Sequence, residues 1–297
     1  MMMSSYVEVQ ALYVEGDGLL DAGNWAAAAA LFTKALAINA NFRQRYISLY
    51  AKRAYAFHSL GKLEEAIADY TSALCLDPPE PDVNRAQYFF QRGMCMLDLL
   101  KNSGKRSDES SGRTMVEKAE ADMTASIALF GGHPGPFHLR GMMRLDYLSD
   151  DKGACLDFTA AIDLLQQQHS KKSAAGLIAQ RGAALLRLQR VEDAKRDLLD
   201  ALKIAPSDFI NFQLARVSAA EKNIDALISY AKDCLGGGGG SGHLTTFAQS
   251  AEFEHARSTS AEFRDVLSKG AGTWLCDCCE PSFRGTYAQV VKHEEGE

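Results

Sequence analysis

The strongest constraint on the fold is a short residue pattern that recurs along the chain. It is clearest in GKLEEAIADYTSALCLDP (61–78), GNWAAAAALFTKALAINA (23–40) and QRVEDAKRDLLDALKIAP (189–206). In each copy an Ala follows the first position by five residues, an aromatic residue or Leu comes four later, and a second Ala three after that. KGACLDFTAAIDLL (152–165) and EKAEADMTASIALF (117–130) keep this spacing more loosely. Because such spacings place side chains on one helix face, the pattern predicts a repeated amphipathic helix.

A second helical segment precedes each copy. It carries a small residue after Arg in KRAYAFHSL, QRGMCMLDL, LRGMMRLDY and QRGAALLRL, whereas the first copy reads VEGDGLLDA, with Gly16 but no Arg. Small residues let two helices approach closely, while large apolar residues fill the space between neighbouring pairs. A Pro, or Ala40 in the first copy, then ends the second helix. The sequence therefore predicts a series of stacked helical hairpins.

A helix–turn–helix unit of about 34 residues with this pattern resembles the tetratricopeptide repeat (TPR). The resemblance implies an all-α fold, a right-handed superhelix of five to six hairpins within residues 1–235. The predicted repeats are 9–42, 47–80, 86–131 with a loop insertion, 136–166, 175–208 and a partial repeat at 212–235. An irregular helical bundle is the alternative, and the common phase of five copies argues against it.

An Arg and an Asp recur together in four of the hairpins. The Arg precedes the small residue of the first helix, and the Asp precedes the aromatic residue or its substitute in the second. The pairs are Arg53 with Asp69, Arg92 with Asp122, Arg140 with Asp157 and Arg181 with Asp197. Since the Arg guanidinium matches a carboxylate with two parallel donors, we predict a bridge inside each hairpin. A phosphate site built from four Arg residues in register is the alternative.

Composition limits the class of partner and the compartment. The net charge is −6 and the pI is about 5.7, which disfavours binding to nucleic acid or to an anionic membrane through bulk charge. No apolar run approaches the roughly 18 residues of a membrane span. Seven cysteines without framework spacing fit a reducing compartment. We therefore expect a cytoplasmic protein, with the nucleus as the alternative.

Two segments interrupt the periodic pattern. Residues 101–118, KNSGKRSDESSGRTMVEK, predict a surface loop in the third hairpin, either a tolerated insertion or a phosphorylation site at Ser107, Ser110 or Ser111. Residues 236–242, GGGGGSG, predict a flexible linker. The linker separates the array from a tail, residues 243–297, that begins with one or two short amphipathic helices.

The end of the tail carries the clearest metal-binding pattern. Cys276 and Cys279 have CxxC spacing, Phe283 follows four residues later, and His293 comes fourteen residues after Cys279. This resembles the first three ligands and the core Phe of a two-Cys, two-His zinc finger, which implies a zinc ion held by Cys276, Cys279 and His293. Cys278, His255 or a water are the candidates for the fourth position. A cysteine-rich tail without metal is the alternative, and the few cations of the segment disfavour DNA binding.

The resemblance to TPR arrays also implies a concave groove lined by the first helix of each hairpin. The repeat phase places these residues in it: Tyr13, Asp17, Lys52, Tyr55, Phe90, Gln91, Met94, His138, Met142 and Arg187. Aromatic and Met side chains give contact area while polar groups set register, which suits a peptide. The family's clamp for an acidic C-terminus is absent, because Tyr13, Asp17, Gln87 and Gln91 stand where Lys, Asn and Arg are needed and only Lys52 keeps that chemistry.

The predicted function is that of a non-enzymatic scaffold that binds a protein or peptide partner and no small-molecule substrate. No nucleophile elbow, phosphate-binding glycine loop or redox motif in a βαβ context is present in the sequence. Two alternatives stay open. The first alternative is that the chain is the interaction domain of a larger multidomain protein, with a link to ubiquitin or to chaperones. The second is that it is a zinc-finger protein associated with nucleic acid.

Overall fold

The computed structural model describes residues 2–38, 43–76, 81–102, 110–168, 170–236, 241–269, 274–275 and 284–285. The chain divides into two compact units, residues 1–164 and 165–297. The predicted all-α array of helical hairpins is confirmed in the described residues.

The first unit contains four helical hairpins. Their helices are α1 (Met2–Asp21), α2 (Trp25–Ala37), α3 (Arg43–Ser59), α4 (Leu63–Cys75), α5 (Asp82–Asn102), α6 (Ser110–Leu129), α7 (Pro134–Asp146) and α8 (Asp151–Gln167), the last of which reaches past the boundary at residue 164. The apolar periodicity explains each core face. In α4, for example, Leu63, Ala66, Tyr70 and Ala73 recur every three or four residues, and all four are buried.

The second unit begins with two further hairpins and ends with the tail. Its elements are α9 (Lys171–Arg187), α10 (Val191–Ile204), α11 (Asp208–Ala220), α12 (Ile224–Gly236), α13 (Ser241–Gln249), a 3-10 turn (Ala251–Phe253), α14 (Glu254–Thr259), α15 (Ala261–Lys269), β1 (Trp274–Leu275) and β2 (Arg284–Gly285). The two short strands pair antiparallel, with Trp274 opposite Gly285.

Close contact between the two helices of a hairpin depends on the small residues found in the sequence. A Cβ atom added to Gly141 would lie 2.8 Å from Phe158 Cε1, which is too close for two carbon atoms. The same opposition between a glycine and a large residue of the second helix recurs in three other hairpins: Gly16 with Phe32, Gly93 with Met123 and Gly182 with Leu198. The alternation of small and large residues therefore sets the distance between paired helices.

The predicted Arg–Asp bridges are present in all four hairpins, each with two parallel hydrogen bonds. The Nε and Nη2 donors of Arg53, Arg92, Arg140 and Arg181 reach the two carboxylate oxygens of Asp69, Asp122, Asp157 and Asp197 at 2.6–3.0 Å. In the three bridges of the first unit the Nη1 atom also donates to a Thr of the preceding hairpin: Arg53 to Thr33, Arg92 to Thr71 and Arg140 to Thr124. The sequence prediction did not include this third bond, which ties successive hairpins of the first unit together.

The insertion in the third hairpin is shorter than predicted. Residues 101–102 end α5 and residues 110–118 belong to α6, so the loop predicted for 101–118 is wrong over both stretches. Val116, Ala119 and Met123 are all buried and give the start of α6 its own core face. Ser110 and Ser111 lie in the first turn of α6, whereas Ser107 lies outside the described residues.

The tail helices share a core with the last hairpin. Phe247, Phe253 and Phe263 are fully buried in one cluster with Phe212 of α11 and Leu227 of α12. Arg216 of α11 also pairs with Glu252 of the 3-10 turn, at 2.9 Å between Nε and Oε2. A boundary at residue 235 therefore cuts through a continuous hydrophobic core.

None of the helices in the described part of the chain is both long enough and apolar enough to cross a membrane.

Candidate functional site

A cavity of about 510 Å³ lies in the first unit, on the side formed by the first helices of hairpins one to three. Its lining comes from α1 (Tyr13, Asp17, Leu20, Asp21), α3 (Ser48, Ala51, Lys52, Tyr55) and α5 (Asn84, Gln87, Tyr88, Gln91), with Trp25 of α2 and Tyr70 of α4 added. A cavity of this size accommodates a few side chains of a peptide.

Part of the predicted groove is brought together here. Tyr13, Asp17, Lys52, Tyr55 and Gln91 all line the cavity. They share it because residues of equal repeat phase on successive first helices face the same side.

The other predicted groove residues do not line this cavity. Phe90 packs against the core between α5 and α7, with its ring centroid 5.7 Å from that of His133. His138 lies with its ring centroid 6.4 Å from that of Phe158, and Met94 and Met142 are half-buried. Arg187 is exposed in the last turn of α9, in the second unit. Their place in a binding groove stays a prediction.

An internal ion pair occupies one end of the cavity. The ammonium of Lys52 donates a hydrogen bond to Asp17 Oδ1 and lies 5.3 Å from the centroid of the Tyr13 ring. Burial opposes the charge on Lys52, but the hydrogen bond and the negative charge of Asp17 outweigh it, so the pKa of Lys52 is raised. The cation of Lys52 is thus already neutralised by a neighbour within the fold.

An aromatic pair occupies a second part of the cavity. The rings of Trp25 and Tyr55 meet edge to face, with centroids 5.7 Å apart and planes at 85°. Tyr55 is 42% exposed, although aromatic side chains are more often buried. An exposed aromatic side chain in a concave site offers contact area to a ligand at little entropic cost.

Three side-chain amides complete the lining. Asn84, Gln87 and Gln91 lie on α5, spaced by three and four residues so that they share one face of the helix. Each amide carries both donors and acceptors, which suits the backbone of a peptide.

Several lining residues were missed by the sequence prediction. Asp21 and Trp25 flank the turn between α1 and α2, and Tyr70 lies on a second helix. The repeat phase assigns only first-helix positions to the groove, so it could not include Trp25 and Tyr70, whereas Asp21 follows Asp17 by one turn of α1 and could have been found. Tyr88 and Asn84 follow the same phase as Gln87 and Gln91 and could have been found from the amphipathic pattern of α5.

The two buried cysteines of the helices do not offer a nucleophile. Burial raises the pKa of both Cys95 and Cys234 to about 12, so each stays a thiol at neutral pH. The described lining of the cavity contains no Cys or His.

The predicted zinc ligands Cys276, Cys279 and His293 lie outside the described residues. Within the part that is described, no group of three or more His, Cys, Asp or Glu side chains could hold a metal ion. His255, a candidate for the fourth position, is exposed on α14.

Comparison with known families identifies the repeat unit. The family described as "Tetratricopeptide repeat" matches over residues 47–80, which include most of α3 and all of α4. Residues 47–80 are therefore similar to a tetratricopeptide repeat. This stretch is the second of the predicted repeats.

A curated relative is similar to part of the chain. The chain is 34% identical over 83 residues to the DnaJ homolog subfamily C member 7 homolog of Dictyostelium discoideum. That similarity covers 28% of this chain and 14% of the relative, so most of the relative has no counterpart here.

Solved structures of low sequence identity share the TPR fold. The protein pilF of Pseudomonas aeruginosa matches at 15% identity with a TM-score of 0.56, over 86% of this chain and all of that one. YrrB, described as a TPR protein with an unusual peptide-binding site, matches at 16% identity with a TM-score of 0.53, over 76% of this chain and 97% of its own. The APC/C hetero-tetramer Cut9–Hcn1 matches at 18% identity with a TM-score of 0.52, over 89% of this chain and 43% of that one.

Proposed function

We propose that this chain is a non-enzymatic scaffold whose first unit binds a peptide segment of a partner protein in the cavity between α1, α3 and α5. The observation that carries the proposal is the aromatic pair of half-buried Trp25 and exposed Tyr55 inside a concave, amide-lined site. Aromatic side chains in such positions are the usual anchors of protein interfaces. The TPR fold, shared with a protein described as having a peptide-binding site, supports the same reading.

The charge pattern argues against the peptide clamp best known in this family. That clamp needs free cations for a terminal carboxylate, whereas the cavity's Lys52 is bound to Asp17. A ligand carboxylate would also meet the negative charge of Asp17. The peptide is therefore held through aromatic contacts and through hydrogen bonds to Gln87 and Gln91.

A random peptide pool passed over the immobilised full chain tests this function. We expect specific peptides to be retained, and Tyr55→Ala to weaken their retention about tenfold, because truncation of an aromatic anchor removes 1–3 kcal/mol of binding free energy. Phe130→Ala is the matched control, since Phe130 is equally exposed at 43% but does not line the cavity. Equal retention by both variants, or no retained peptide, would contradict the proposal.

The tail supports a separate, structural role. We propose that Cys276, Cys279 and His293 bind a zinc ion. The antiparallel pairing of β1 with β2 supports this, because these strands flank the Cys276–Phe283 segment, and zinc fingers of the two-Cys, two-His class contain a pair of strands before their helix. A zinc ion in this position would stabilise the tail and take no part in a reaction.

The compartment follows from the thiols. Cys75, Cys95, Cys155 and Cys234 are free, and free cysteines in this number favour a reducing compartment. We therefore place the scaffold in the cytoplasm.

A further inference from the structure

The cavity in the first unit carries an unbalanced negative charge. Its lining contains two carboxylates, Asp17 and Asp21, and one cation, Lys52. Lys52 is hydrogen-bonded to Asp17, and its raised pKa keeps it protonated at neutral pH. Asp21 is exposed and forms no ion pair with any other described residue. The charge left over in the cavity is therefore that of Asp21.

The position of Asp21 at a helix end adds to this negative potential. Asp21 is the last residue of α1, where the carbonyl groups of the final turn carry the negative end of the helix dipole. Both the carboxylate and the helix end favour a cation in the adjoining space.

The aromatic pair is a third feature of the cavity that attracts a cation. Trp25 follows Asp21 across the short turn between α1 and α2, and its ring contacts that of Tyr55. The face of an aromatic ring attracts an ammonium or guanidinium group, and Trp does so most strongly. A carboxylate and two aromatic rings in one cavity are complementary to a cationic side chain.

The fold already contains one copy of this arrangement. Lys52 binds the carboxylate of Asp17 while its ammonium lies 5.3 Å from the Tyr13 ring centroid. Asp21, Trp25 and Tyr55 bring the same kinds of group to the cavity lining, with Asp21 one helical turn from Asp17 along α1, and no cation of the described residues pairs with Asp21. The group that would pair with Asp21 is a cationic side chain, as Lys52 is for Asp17.

We propose that Asp21, Trp25 and Tyr55 form a specificity pocket for a Lys or Arg side chain of the bound peptide. The inference rests on the proposed function and names the class of partner, a basic segment of a protein. The same charge disfavours an acidic or C-terminal segment, because its carboxylates would face that of Asp21.

The test uses heptapeptide pools with random flanks and one fixed central residue, either Arg, Lys, Gln or Glu, passed over the immobilised full chain. We expect the Arg and Lys pools to be retained about tenfold more than the Gln and Glu pools, the sum of an ion pair and a cation–π contact. Asp21→Asn should reduce this preference to within about twofold. Glu15→Gln, also exposed on α1 but not lining the cavity, is the control and should keep the full preference.

The outcomes separate the two proposals. Retention that favours the Gln or Glu pool, or an Arg and Lys preference that Asp21→Asn leaves unchanged, would overturn the pocket while peptide binding stands. Failure of all four pools to be retained would overturn peptide binding itself, and the pocket with it.

Discussion

Arg92 donates two parallel hydrogen bonds to Asp122, from Nε to Oδ2 at 2.8 Å and from Nη2 to Oδ1 at 2.7 Å. The remaining Nη1 donor reaches Thr71 Oγ1 in the preceding hairpin at 3.1 Å. The guanidinium thus joins both helices of its own hairpin and the one before. Only Arg can do this, because Lys lacks the fixed fork of donors.

Breaking this bridge should destabilise the first unit. The side chain of Arg92 is only 17% exposed, and Asp122→Asn removes the counter-charge of its guanidinium. We therefore expect the free energy of unfolding to fall by about 3 kcal/mol in urea denaturation. Glu117→Gln, which removes the carboxylate of an exposed pair on the same helix, should change it by less than about 0.5 kcal/mol. Equal effects of the two substitutions would show that the buried bridge contributes no more than an exposed one.

Two glycines of the first unit should respond to alanine in opposite directions. Gly61 has φ +73°, a left-handed conformation, with no atom near enough to clash with a Cβ. Gly61→Ala should therefore lower the free energy of unfolding by about 1 kcal/mol through backbone strain alone. Gly18 lies in α1, also without a neighbouring atom, so Gly18→Ala should raise it by about 0.5–1 kcal/mol. Thermal melting of both variants checks this, and a shift in the same direction would contradict the backbone assignment.

The hairpin array could be predicted because the residues that pack its paired helices together recur at fixed positions within each repeat. Gly141 and Phe158 stand at fixed positions in the repeat, and their contact is the contact that sets the helix spacing. Arg92 and Asp122 likewise stand at fixed positions in the repeat, and they form the bridge within the hairpin. Tyr13 and Lys52 were assigned to the groove for a related reason, since repeat phase determines which face of a first helix looks into it.

Features that depend on distant contacts could not be predicted in this way. Phe90 has the phase of a groove residue, but its contact with the start of α7, where a Cβ on Gly135 would lie 2.9 Å from its ring, is not specified by that phase. Phe247 of the tail is buried against α11 across a glycine tract. The composition of the tract predicted a linker, but that composition does not indicate what the next helix packs against. Trp25 was missed because it lies on α2, and the repeat phase assigned only first helices to the groove.

The stability of the second unit should fall in mildly acidic solution because of His243. Its ring stacks on Phe212, with centroids 4.3 Å apart and planes at 15°. Burial lowers the pKa of His243 from its ordinary value of 6.5, although the charge of Asp208 acts in the opposite direction. Below about pH 6.5 the unfolded chain therefore binds a proton that the folded chain does not, and unfolding is favoured. The stabilisation is complete above that pH and is lost as pH falls towards the lowered pKa.

Urea denaturation between about pH 7.5 and about pH 5.5 measures this effect. The wild-type chain should lose more stability over this interval than His243→Phe, which retains an aromatic ring against Phe212 but cannot bind a proton. If both chains lose stability equally, protonation of His243 does not oppose folding.

Zinc in the tail should depend on Cys279 and not on the cysteine thiols of the helical hairpins. Elemental analysis of the purified chain should find about one zinc ion per molecule, since structural sites bind zinc tightly at neutral pH. Cys279→Ser should release it, because a hydroxyl is a poor zinc ligand. Cys75→Ser, which alters an exposed free cysteine of the first unit, should keep the metal. A metal-free wild-type chain, or equal zinc in all three proteins, would contradict the site.

The most direct measurement of groove binding uses Trp25 as the reporter. The chain has two tryptophans, so Trp274→Phe leaves Trp25, which lines the cavity, as the only one. We expect the best-retained peptide of the random pool to shift the Trp25 emission and to protect it from acrylamide quenching, with both effects saturating at the same peptide concentration as binding itself. A peptide that binds the chain tightly and leaves the emission and quenching of Trp25 unchanged would show that partners are bound elsewhere.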